Sequence, residues 1–564
     1  MDQDDPMDGS LFRGTEELHH CAARLALTNE LIASRICFHS QPEPGVYYRQ
    51  RYLTLTSVAR TCKSLYIPAA KHIWKDINSL TPLIMTMPVD CWEIEGPEDV
   101  PLHQRYIRIK RSITAADCDR FHFYAQFVRN FYTGTFHLPD VREDSNIYES
   151  LFSVMKGYGE TCLFPNLEKL DWSVYLDLTF PSFATLLHSR LQSVWISPKG
   201  EQTSLRLIKE LISRCPNLRS VTLAASLSDP TTTLSSAIST LGSLTRLRVT
   251  SLSTDAYLRL AEHPNLKALS VSDIATVDWA VVERRPPKSL SFPRLEDIDL
   301  HMCSIENAIR TFRSMNRPPL RNIKIWIRGS PEPGLSLGSL FQSVNTAQAF
   351  ETLSHLDLDE SWSGDLWKLG VLERSFIPEH LAPLFSFKRL VDVKIELSRS
   401  IIMVDSYIQK LAESWPAIER LVLLCTSEAQ WDYPRNTIRS LVHFALNCPS
   451  LKELTLTCDA RDPQLPEKRL SSSISSKLSS LHVRDSPIGN SAMVAAILSD
   501  WFPQLANISS GIYAMNELDR AQREWEMVEE WIPRIRELRL QERRSCGSGR
   551  DSEMWQSLNE ADGV

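Results

Sequence analysis

A short apolar block, L-x-x-L-x-L, recurs twelve times between residues 167 and 483 and constrains the fold more than any other feature of the sequence. Its last two apolar positions are two residues apart, so both side chains point to one side of a short strand. Segments between blocks, such as 203–214 and 436–447, carry apolar residues at helical spacing. A strand-plus-helix unit of this size buries its apolar face only against its neighbours, so the units are expected to stack. The first apolar positions are Leu167, Leu191, Leu218, Leu244, Leu266, Leu295, Leu320, Leu353, Leu390, Ile418, Leu451 and Leu478, with a weaker block at Leu505.

These first positions lie 22 to 37 residues apart, and most gaps fall between 22 and 29. The pattern resembles the leucine-rich repeat, whose period is about 20–29 residues. The Asn or Cys usual three residues after the last apolar position is mostly missing, although Cys303 fits it. The resemblance implies an α/β fold, a leucine-rich-repeat solenoid with a curved parallel sheet and helices on its convex side, over residues 132–512.

Residues between the apolar positions of each strand alternate to the other side of the sheet, across the concave face. The partner is therefore specified by these intervening residues, and Trp and Arg are common in interface hot spots. A register slip of one residue would instead bury both tryptophans in this set. We predict a protein-substrate site formed by Trp195, Arg246, Arg248, Asp299, His301, Trp326, Asp357 and Asp359.

The segment 21–88 precedes the repeats and has a different pattern. Apolar residues at spacings of three and four predict three short helices, Glu30–Phe38, Leu53–Tyr66 and Pro68–Ile77. Thr28 is placed to cap the first of them. The segment is therefore predicted to be a small all-α module.

Eight residues of this module fall on positions of a known pattern: Leu27, Glu30, Leu31, Ile36, Leu55, Val58, Cys62 and Trp74. On these residues the module resembles an F-box. Two positions depart from the F-box pattern, because Thr28 stands for the usual Pro and Leu65 for the usual Trp. Together with the repeats, the module resembles the F-box proteins of fungi, and this implies docking to a Skp-type adaptor and a cullin ligase core. By the resemblance, the adaptor-binding residues are Leu27, Leu31, Ile36, Val58 and Leu65. Ile36 and Val58 also fit internal packing of the helices, and a helical cap that docks nothing is the alternative for the whole module.

The remaining segments are assigned from composition and helical spacing. Residues 89–131 are predicted to be a linker with an amphipathic helix over Thr114–Phe131, started by a capping-box-like pair, Thr114 and Asp117. Residues 513–545 are predicted to form a helical cap on the last repeat, which Pro533 kinks or divides. Residues 1–20 and 546–564 have the composition of disordered ends.

Composition excludes several classes of function. The formal charge of −7 argues against a broad basic face for nucleic acid and leaves a local basic patch open, and no apolar run approaches the roughly 18 residues of a membrane span. The acidic start is unlike a secretory signal, so we expect residence in the cytoplasm, the nucleus or both. The twelve cysteines never form C-x-x-C, and phosphate-binding glycine motifs are missing. We expect no metal and no cofactor.

The pattern Gly334-x-Ser336-x-Gly338 matches a hydrolase nucleophile elbow, but an elbow needs a strand that turns directly into a helix. The expected strand ends near Ile327, and a proline-containing loop intervenes. We therefore expect no catalytic residues and no enzyme activity. The sequence favours the substrate-recognition subunit of an SCF-type cullin ubiquitin ligase. The alternatives are a protein-interaction scaffold with a degenerate F-box and, more remotely, a hydrolase that uses Ser336.

Overall fold

The structure is a computed structural model, and the chain in it divides into two compact units. One contains residues 1–228 with 236–244, and the other residues 229–235 with 245–564. The structure describes residues 29–39, 48–97, 99–101, 104–133, 142–157, 162–172, 183–197, 201–224, 239–286, 290–328, 336–347, 352–361, 375–426, 434–464, 476–510 and 521–541. The ends expected to be disordered and the GxSxG residue Gly334 lie outside the described residues.

The first unit begins with a three-helix module, α1 Glu30–His39, α2 Tyr48–Thr61 and α3 Lys63–Ile73. Its core contains Ala33, Cys37, Leu55, Leu65 and Ala69. The cap of α1 is Asn29, whose Oδ1 accepts hydrogen bonds from the N–H groups of Leu31 (3.0 Å) and Ile32 (3.3 Å). The expected cap, Thr28, lies outside the described residues, and the Asn side chain takes that role one residue later.

Two helix boundaries in the module differ from the sequence prediction. The single helix expected over Leu53–Tyr66 is two helices, because Cys62 between them has extended backbone (φ −156°, ψ 159°). The third helix ends at Ile73 rather than Ile77, and Asp76–Ile77 forms a strand. This strand pairs in parallel with the later strand at Asn130–Tyr132, a long-range pairing that helical spacing does not reveal.

Five strands of the first unit are parallel and neighbour one another in the order β1–β4–β6–β7–β8. A separate small sheet pairs β2 antiparallel and β5 parallel with β3. The strands are β1 Asp76–Ile77, β2 Trp92–Glu95, β3 Tyr106–Ile109, β4 Asn130–Tyr132, β5 Arg142–Glu143, β6 Lys169–Trp172, β7 Ser193–Ile196 and β8 Ser220–Leu223. The α-helices after the module are α4 Thr81–Ile84, α5 Asp119–Ala125, α6 Ser145–Gly157 and α7 Glu201–Arg214, and short 3₁₀ helices cover Val89–Cys91 and Ala116–Cys118.

Ten strands of the second unit are parallel, in the order β9–β10–β11–β12–β13–β15–β17–β18–β19–β20, and β14 pairs with β16 apart from them. The strands are β9 Arg246–Ser251, β10 Ala268–Asp273, β11 Asp297–Cys303, β12 Asn322–Arg328, β13 His355–Ser361, β14 Ser375–Phe376, β15 Asp392–Leu397, β16 Ser400–Ile401, β17 Arg420–Cys425, β18 Glu453–Thr455, β19 Ser480–Arg484 and β20 Asn507–Ser510. The α-helices are α8 Thr254–Ala261, α9 Trp279–Glu283, α10 Ile305–Ser314, α11 Leu337–Ala347, α12 Asp405–Ser414, α13 Val442–Asn447, α14 Ser491–Trp501 and α15 at 521–541, and 3₁₀ helices cover Pro378–Ser386 and Ile438–Leu441.

The repeat predicted from the sequence is the structural unit of both parts, and the α/β repeat-solenoid fold is confirmed. Every first apolar position from Leu167 to Leu505 is buried, and burial alternates along the strands. Along most of the parallel strands, the residue before the strand accepts two N–H groups from the next repeat. Lys267 O, for example, takes those of Glu296 (2.8 Å) and Asp297 (2.9 Å). Each repeat therefore satisfies polar backbone groups of its neighbour while burying the neighbour's apolar face.

Parallel pairing begins before the first recognisable block. β4 lies within the segment expected to be an amphipathic helix, of which only Ala116–Ala125 is helical. Asp117 Oδ2 accepts the N–H of Thr114 (2.8 Å), so the carboxylate part of the expected capping box is present. The prediction of one helix to Phe131 is wrong, because Phe131 instead buries its ring from a strand paired to β6.

Helix α15 packs on the last repeats through Trp525, Val528 and Ile532, all buried. The indole N–H of Trp525 donates to Ser486 O (2.9 Å), and Arg536 Nη2 donates to Leu505 O (2.6 Å). Pro533 lies within the helix on its exposed side and does not divide it, contrary to one of the two expected outcomes.

Candidate functional site

The alternation of burial leaves one face of the parallel strands exposed. We call the outward side chains of β9 to β15 the open face. Arg246 and Arg248 are exposed beside buried Leu247 and Val249, and Trp326 is 39% exposed beside buried Ile325. The strand register is therefore the predicted one, and the slip that would have buried the tryptophan of β12 does not occur.

In the inner row of the open face, basic and acidic side chains alternate, with three cations and two carboxylates. It runs along register partners on successive strands: Arg248, Ser270, Asp299, Lys324, Asp357 and Lys394. The Asp357 carboxylate lies 3.3 Å from Lys324 Nζ and 3.9 Å from Lys394 Nζ. Asp357 thus faces a cation on each of its two neighbouring strands, a favourable placement of opposite charges in a sheet.

The outer row lies two residues further along the same strands and contains His301, Trp326, Asp359 and Glu396. Trp326 and Asp359 are register partners, and so are Asp359 and Glu396. The ring centroids of His301 and Trp326 are 4.9 Å apart, and Lys324 Nζ lies 5.1 Å from the Trp326 centroid. This row places the Trp326 indole beside the Asp359 carboxylate, with Glu396 on the next strand beyond Asp359.

The two carboxylates differ in their partners. Glu396 Oε2 accepts from Lys394 Nζ at 2.8 Å, whereas Asp359 makes no hydrogen bond or ion pair within the described chain. Partial burial and the negative charge of Glu396 raise the pKa of Asp359 above its usual value, and Lys394 offsets part of this effect. Of the two carboxylates in the outer row, only Glu396 therefore has an ion pair within 4 Å among the described residues.

A β-bulge shapes one end of this site. The register of β11 against β12 shifts after Leu300, and Met302 adopts φ of +48°, a backbone region that non-glycine residues rarely occupy. Because of the extra residue, both His301 and Met302 lie on the accessible side, while Cys303 is buried with its Sγ 3.8 Å from Trp326 O. Such strain is usual where a side chain is re-aimed at a functional surface.

The bulge brings His301 Nε2 to 2.8 Å from Asp299 Oδ2 and 3.2 Å from Arg248 Nη2. An imidazole nitrogen either donates or accepts in a given tautomer, so the proton position decides which neighbour is bonded. Asp299 Oδ2 also accepts from Ser270 Oγ (3.2 Å), while its Oδ1 is buried without a hydrogen bond. The arrangement suits recognition of polar groups by ion pairs, stacking and hydrogen bonds.

Six of the eight predicted substrate-site residues belong to this cluster: Arg248, Asp299, His301, Trp326, Asp357 and Asp359. Arg246 is exposed at the start of β9, and Trp195 is half-buried on β7 of the first unit. Sequence reasoning missed Glu396 and Met302. Glu396 lies two residues after Lys394 on β15, so the alternation of side chains predicts that it points outward as well. The spacing of apolar residues does not predict the bulge at Met302.

Ser336 is not placed like an elbow nucleophile. β12 ends at Arg328, eight residues earlier, and Ser336 Oγ accepts the N–H of Ser339 (3.2 Å) at the start of α11. The hydroxyl therefore caps a helix. The described residues hold no group of three or more His, Cys, Asp or Glu side chains that could bind a metal ion. No helix in the described ranges is long and apolar enough to cross a membrane.

A second surface lies on the N-terminal module. Leu31 (69% exposed), Ile32 (41%), Ile36 (37%) and Phe38 (61%) of α1 project outward, and Leu53 (64%) of α2 does so too. Ile32, Phe38 and Leu53 were not predicted, although α1 is apolar on more faces than its core contacts require. We call the four α1 side chains the α1 apolar patch.

The other three residues expected to contact an adaptor are not exposed on α1. Val58 is half-buried and packs against the module core, and Leu65 is 7% exposed inside it. The expectation that Leu65 contacts an adaptor is not supported, because its side chain completes the packing between helices. Leu27 lies outside the described residues.

No protein-family model matches the sequence, and no curated protein matches it. Among solved structures, the crystal structure of the Rad7 and Elc1 complex in yeast is similar to this chain, covering 92% of it and 97% of the other chain. The sequence identity is 12% and the TM-score 0.34.

Proposed function

We propose that this chain is a non-enzymatic substrate-recognition subunit of an SCF-type cullin ubiquitin ligase. The α1 apolar patch would dock to a Skp-type adaptor, and the open face would hold a protein substrate. Catalysis would belong to other subunits, and this chain would contribute the positioning of the substrate. Its compartment would be the cytoplasm, the nucleus or both.

The α1 apolar patch is the observation that carries the adaptor proposal. Four large apolar side chains are exposed on one ten-residue helix whose own core contacts, Ala33 and Cys37, are already buried. Exposed apolar clusters of this kind mark interaction surfaces in soluble proteins. They match the helix on which the F-box resemblance places adaptor contacts.

A scaffold without ligase function is the second candidate. Burial of Leu65 removes one of the five expected adaptor contacts, and Thr28 stands where the F-box pattern has Pro. In that case the module would serve as a helical start to the repeats, and only the open face would bind a partner.

The test of adaptor binding is co-purification of the full chain with the Skp-type adaptor of its host. A Leu31→Asp/Phe38→Asp double variant places two charges in the α1 apolar patch, at positions whose exposure spares the core. Val89→Asp is the matched control, since Val89 is an apolar residue of the same unit that is 78% exposed outside the module. We expect the double variant to lose at least about 100-fold in affinity, as two desolvated charges require, and the control to bind normally.

The outcomes separate the two candidates. Binding by the unmodified chain that only the double variant loses supports the ligase subunit. No binding by the unmodified chain supports the scaffold. Equal retention by all three proteins would place the adaptor contact somewhere other than α1.

The open face is tested by cross-linking the full chain to proteins of its host and comparing the captured set between variants. Trp326→Ala removes the exposed tryptophan of the open face, and Trp195→Ala separately removes the half-buried tryptophan of β7 in the first unit. Trp531→Ala is the control, because it removes an exposed tryptophan from α15. Capture that survives Trp326→Ala unchanged would refute the open face as the substrate site.

A further inference from the structure

The outer row of the open face contains a like-charge pair that its own neighbours do not neutralise. Asp359 and Glu396 are register partners on adjacent parallel strands, about 4.8 Å apart along the sheet. Like charges in this position destabilise a sheet. The described chain offers them one ion pair, from Lys394 to Glu396, and Asp359 has none.

The charges on β12, β13 and β15 also show an excess of carboxylates. Across the inner and outer rows these strands carry three carboxylates, on Asp357, Asp359 and Glu396, and two ammonium groups, on Lys324 and Lys394. Both lysines are within 4 Å of a carboxylate other than Asp359. On these three strands the carboxylates thus outnumber the ammonium groups by one, and Asp359 is the carboxylate that has no ion pair within 4 Å in the described chain.

Trp326 stands beside this charge and already holds a cation. Its register partner is Asp359, so the indole and the free carboxylate are within reach of one ligand group. Lys324 Nζ lies 5.1 Å from the ring centroid, inside the distance of about 6 Å at which a cation is attracted to an aromatic face. The Lys324 ammonium lies 3.3 Å from the Asp357 carboxylate and forms no ion pair within 4 Å with Asp359, although its charge lowers the pKa of Asp359.

We propose that Trp326 and Asp359 form a recognition subsite for an arginine side chain of the partner protein. The guanidinium would pair with the Asp359 carboxylate and lie against the exposed part of the indole, where it displaces Lys324. A planar guanidinium suits both contacts at once, since it stacks on aromatic rings and bonds carboxylates through two N–H groups. This inference rests on the proposed function, because it names the substrate chemistry that the open face would select.

The test uses the full chain labelled with 5-fluorotryptophan and observed by ¹⁹F NMR. The resonance that disappears in Trp326→Phe identifies the reporter. The probe is Nα-acetylarginine methylamide, and its neutral isostere, Nα-acetylcitrulline methylamide, is the control ligand. A single side chain of this kind binds in the millimolar range, which such a titration covers.

Three results are expected together. The Trp326 resonance shifts saturably with the arginine probe and not with citrulline. Asp359→Asn weakens binding by about ten-fold, the worth of one charge-assisted bond. Asp392→Asn does not change it, although it removes the same charge from the same sheet, because Asp392 is already paired with Arg420 (3.0 Å).

Lys324→Met supplies a result of opposite sign, which unfolding or general damage could not produce. Loss of the internal cation frees the ring and should strengthen binding by about two- to five-fold. The proposal is overturned if citrulline shifts the resonance as arginine does, if Asp359→Asn binds arginine normally, or if Lys324→Met binds more weakly. Adaptor co-purification does not depend on this subsite, so its success or failure judges the proposed function separately.

Discussion

Replacing Glu360 by leucine should destabilise the second unit more than the loss of any exposed charge. Glu360 is 1% exposed at an inward position of β13, and Arg399, 8% exposed, donates to it through Nε (2.8 Å) and Nη2. The register partners of Glu360 on the two neighbouring strands are Ile327 and Leu397, so an apolar side chain fits that layer. Glu360→Leu therefore isolates the electrostatic effect from a loss of packing.

The magnitude follows from the burial of the guanidinium. Removing one partner of a buried ion pair costs about 3–5 kcal/mol, because the remaining charge is left desolvated without its counter-charge. Replacing both partners by apolar residues is often neutral or stabilising. We therefore expect Glu360→Leu to lower the free energy of unfolding by about 3–5 kcal/mol, and Glu360→Leu/Arg399→Met to recover most of this loss.

The assay is guanidinium chloride unfolding of the full chain with hydrogen exchange followed on peptides from β13, β15 and β17. Hydrogen exchange in these peptides shows whether the loss of stability lies in the second unit, since a chain of two units need not unfold in one step. A single variant as stable as the unmodified chain would refute the reasoning. A double variant as unstable as the single variant would also refute it, because the loss of stability would then not come from the unpaired guanidinium of Arg399.

Three further predictions concern other parts of the chain. Trp525→Ala should cost about 3–5 kcal/mol and raise hydrogen exchange in β19 and β20, whereas exposed Trp531→Ala should cost less than about 1 kcal/mol. Met302→Gly should leave the free energy of unfolding unchanged or raise it by up to about 1 kcal/mol in thermal unfolding, because glycine adopts φ of +48° without strain. A free energy of unfolding lowered by more than about 1 kcal/mol would mean that packing of the Met302 side chain stabilises the fold. Arginine-probe affinity should fall as the pH falls through the pKa of Asp359. Burial and Glu396 raise that pKa, so the loss begins at higher pH than for an ordinary aspartate, and Asp359→Asn should remove this step from an NMR titration.

The repeat could be predicted because its signal is local and repeated. Each block places apolar side chains at spacings that only a strand entered by a turn can bury together, and Leu167 to Leu505 are all buried as expected. The outward positions follow from the same alternation, which is why most of the predicted substrate-site residues lie in one cluster. Twelve copies make the pattern robust to imperfect single blocks.

Other features depend on contacts between residues that are distant in the chain. Leu65 has the composition of a docking residue, yet packing against α1 and α2 buries it. β1 and β4 carry no L-x-x-L-x-L block and become strands because each pairs with a neighbour over a long stretch of sequence. The local pattern favours helix at both places, and tertiary pairing overrides it.

The sequence alone therefore determined the fold class and which side chains of each strand point inward and outward, since both follow from the spacing of apolar residues. Only the tertiary structure decided which outward side chains meet. The bulge at Met302, the alignment of Trp326 with Asp359 and the pairing of both lysines with other carboxylates depend on how successive strands are placed side by side. Spacing along one chain carries no information on these distances, because they are set by the packing of one repeat on the next.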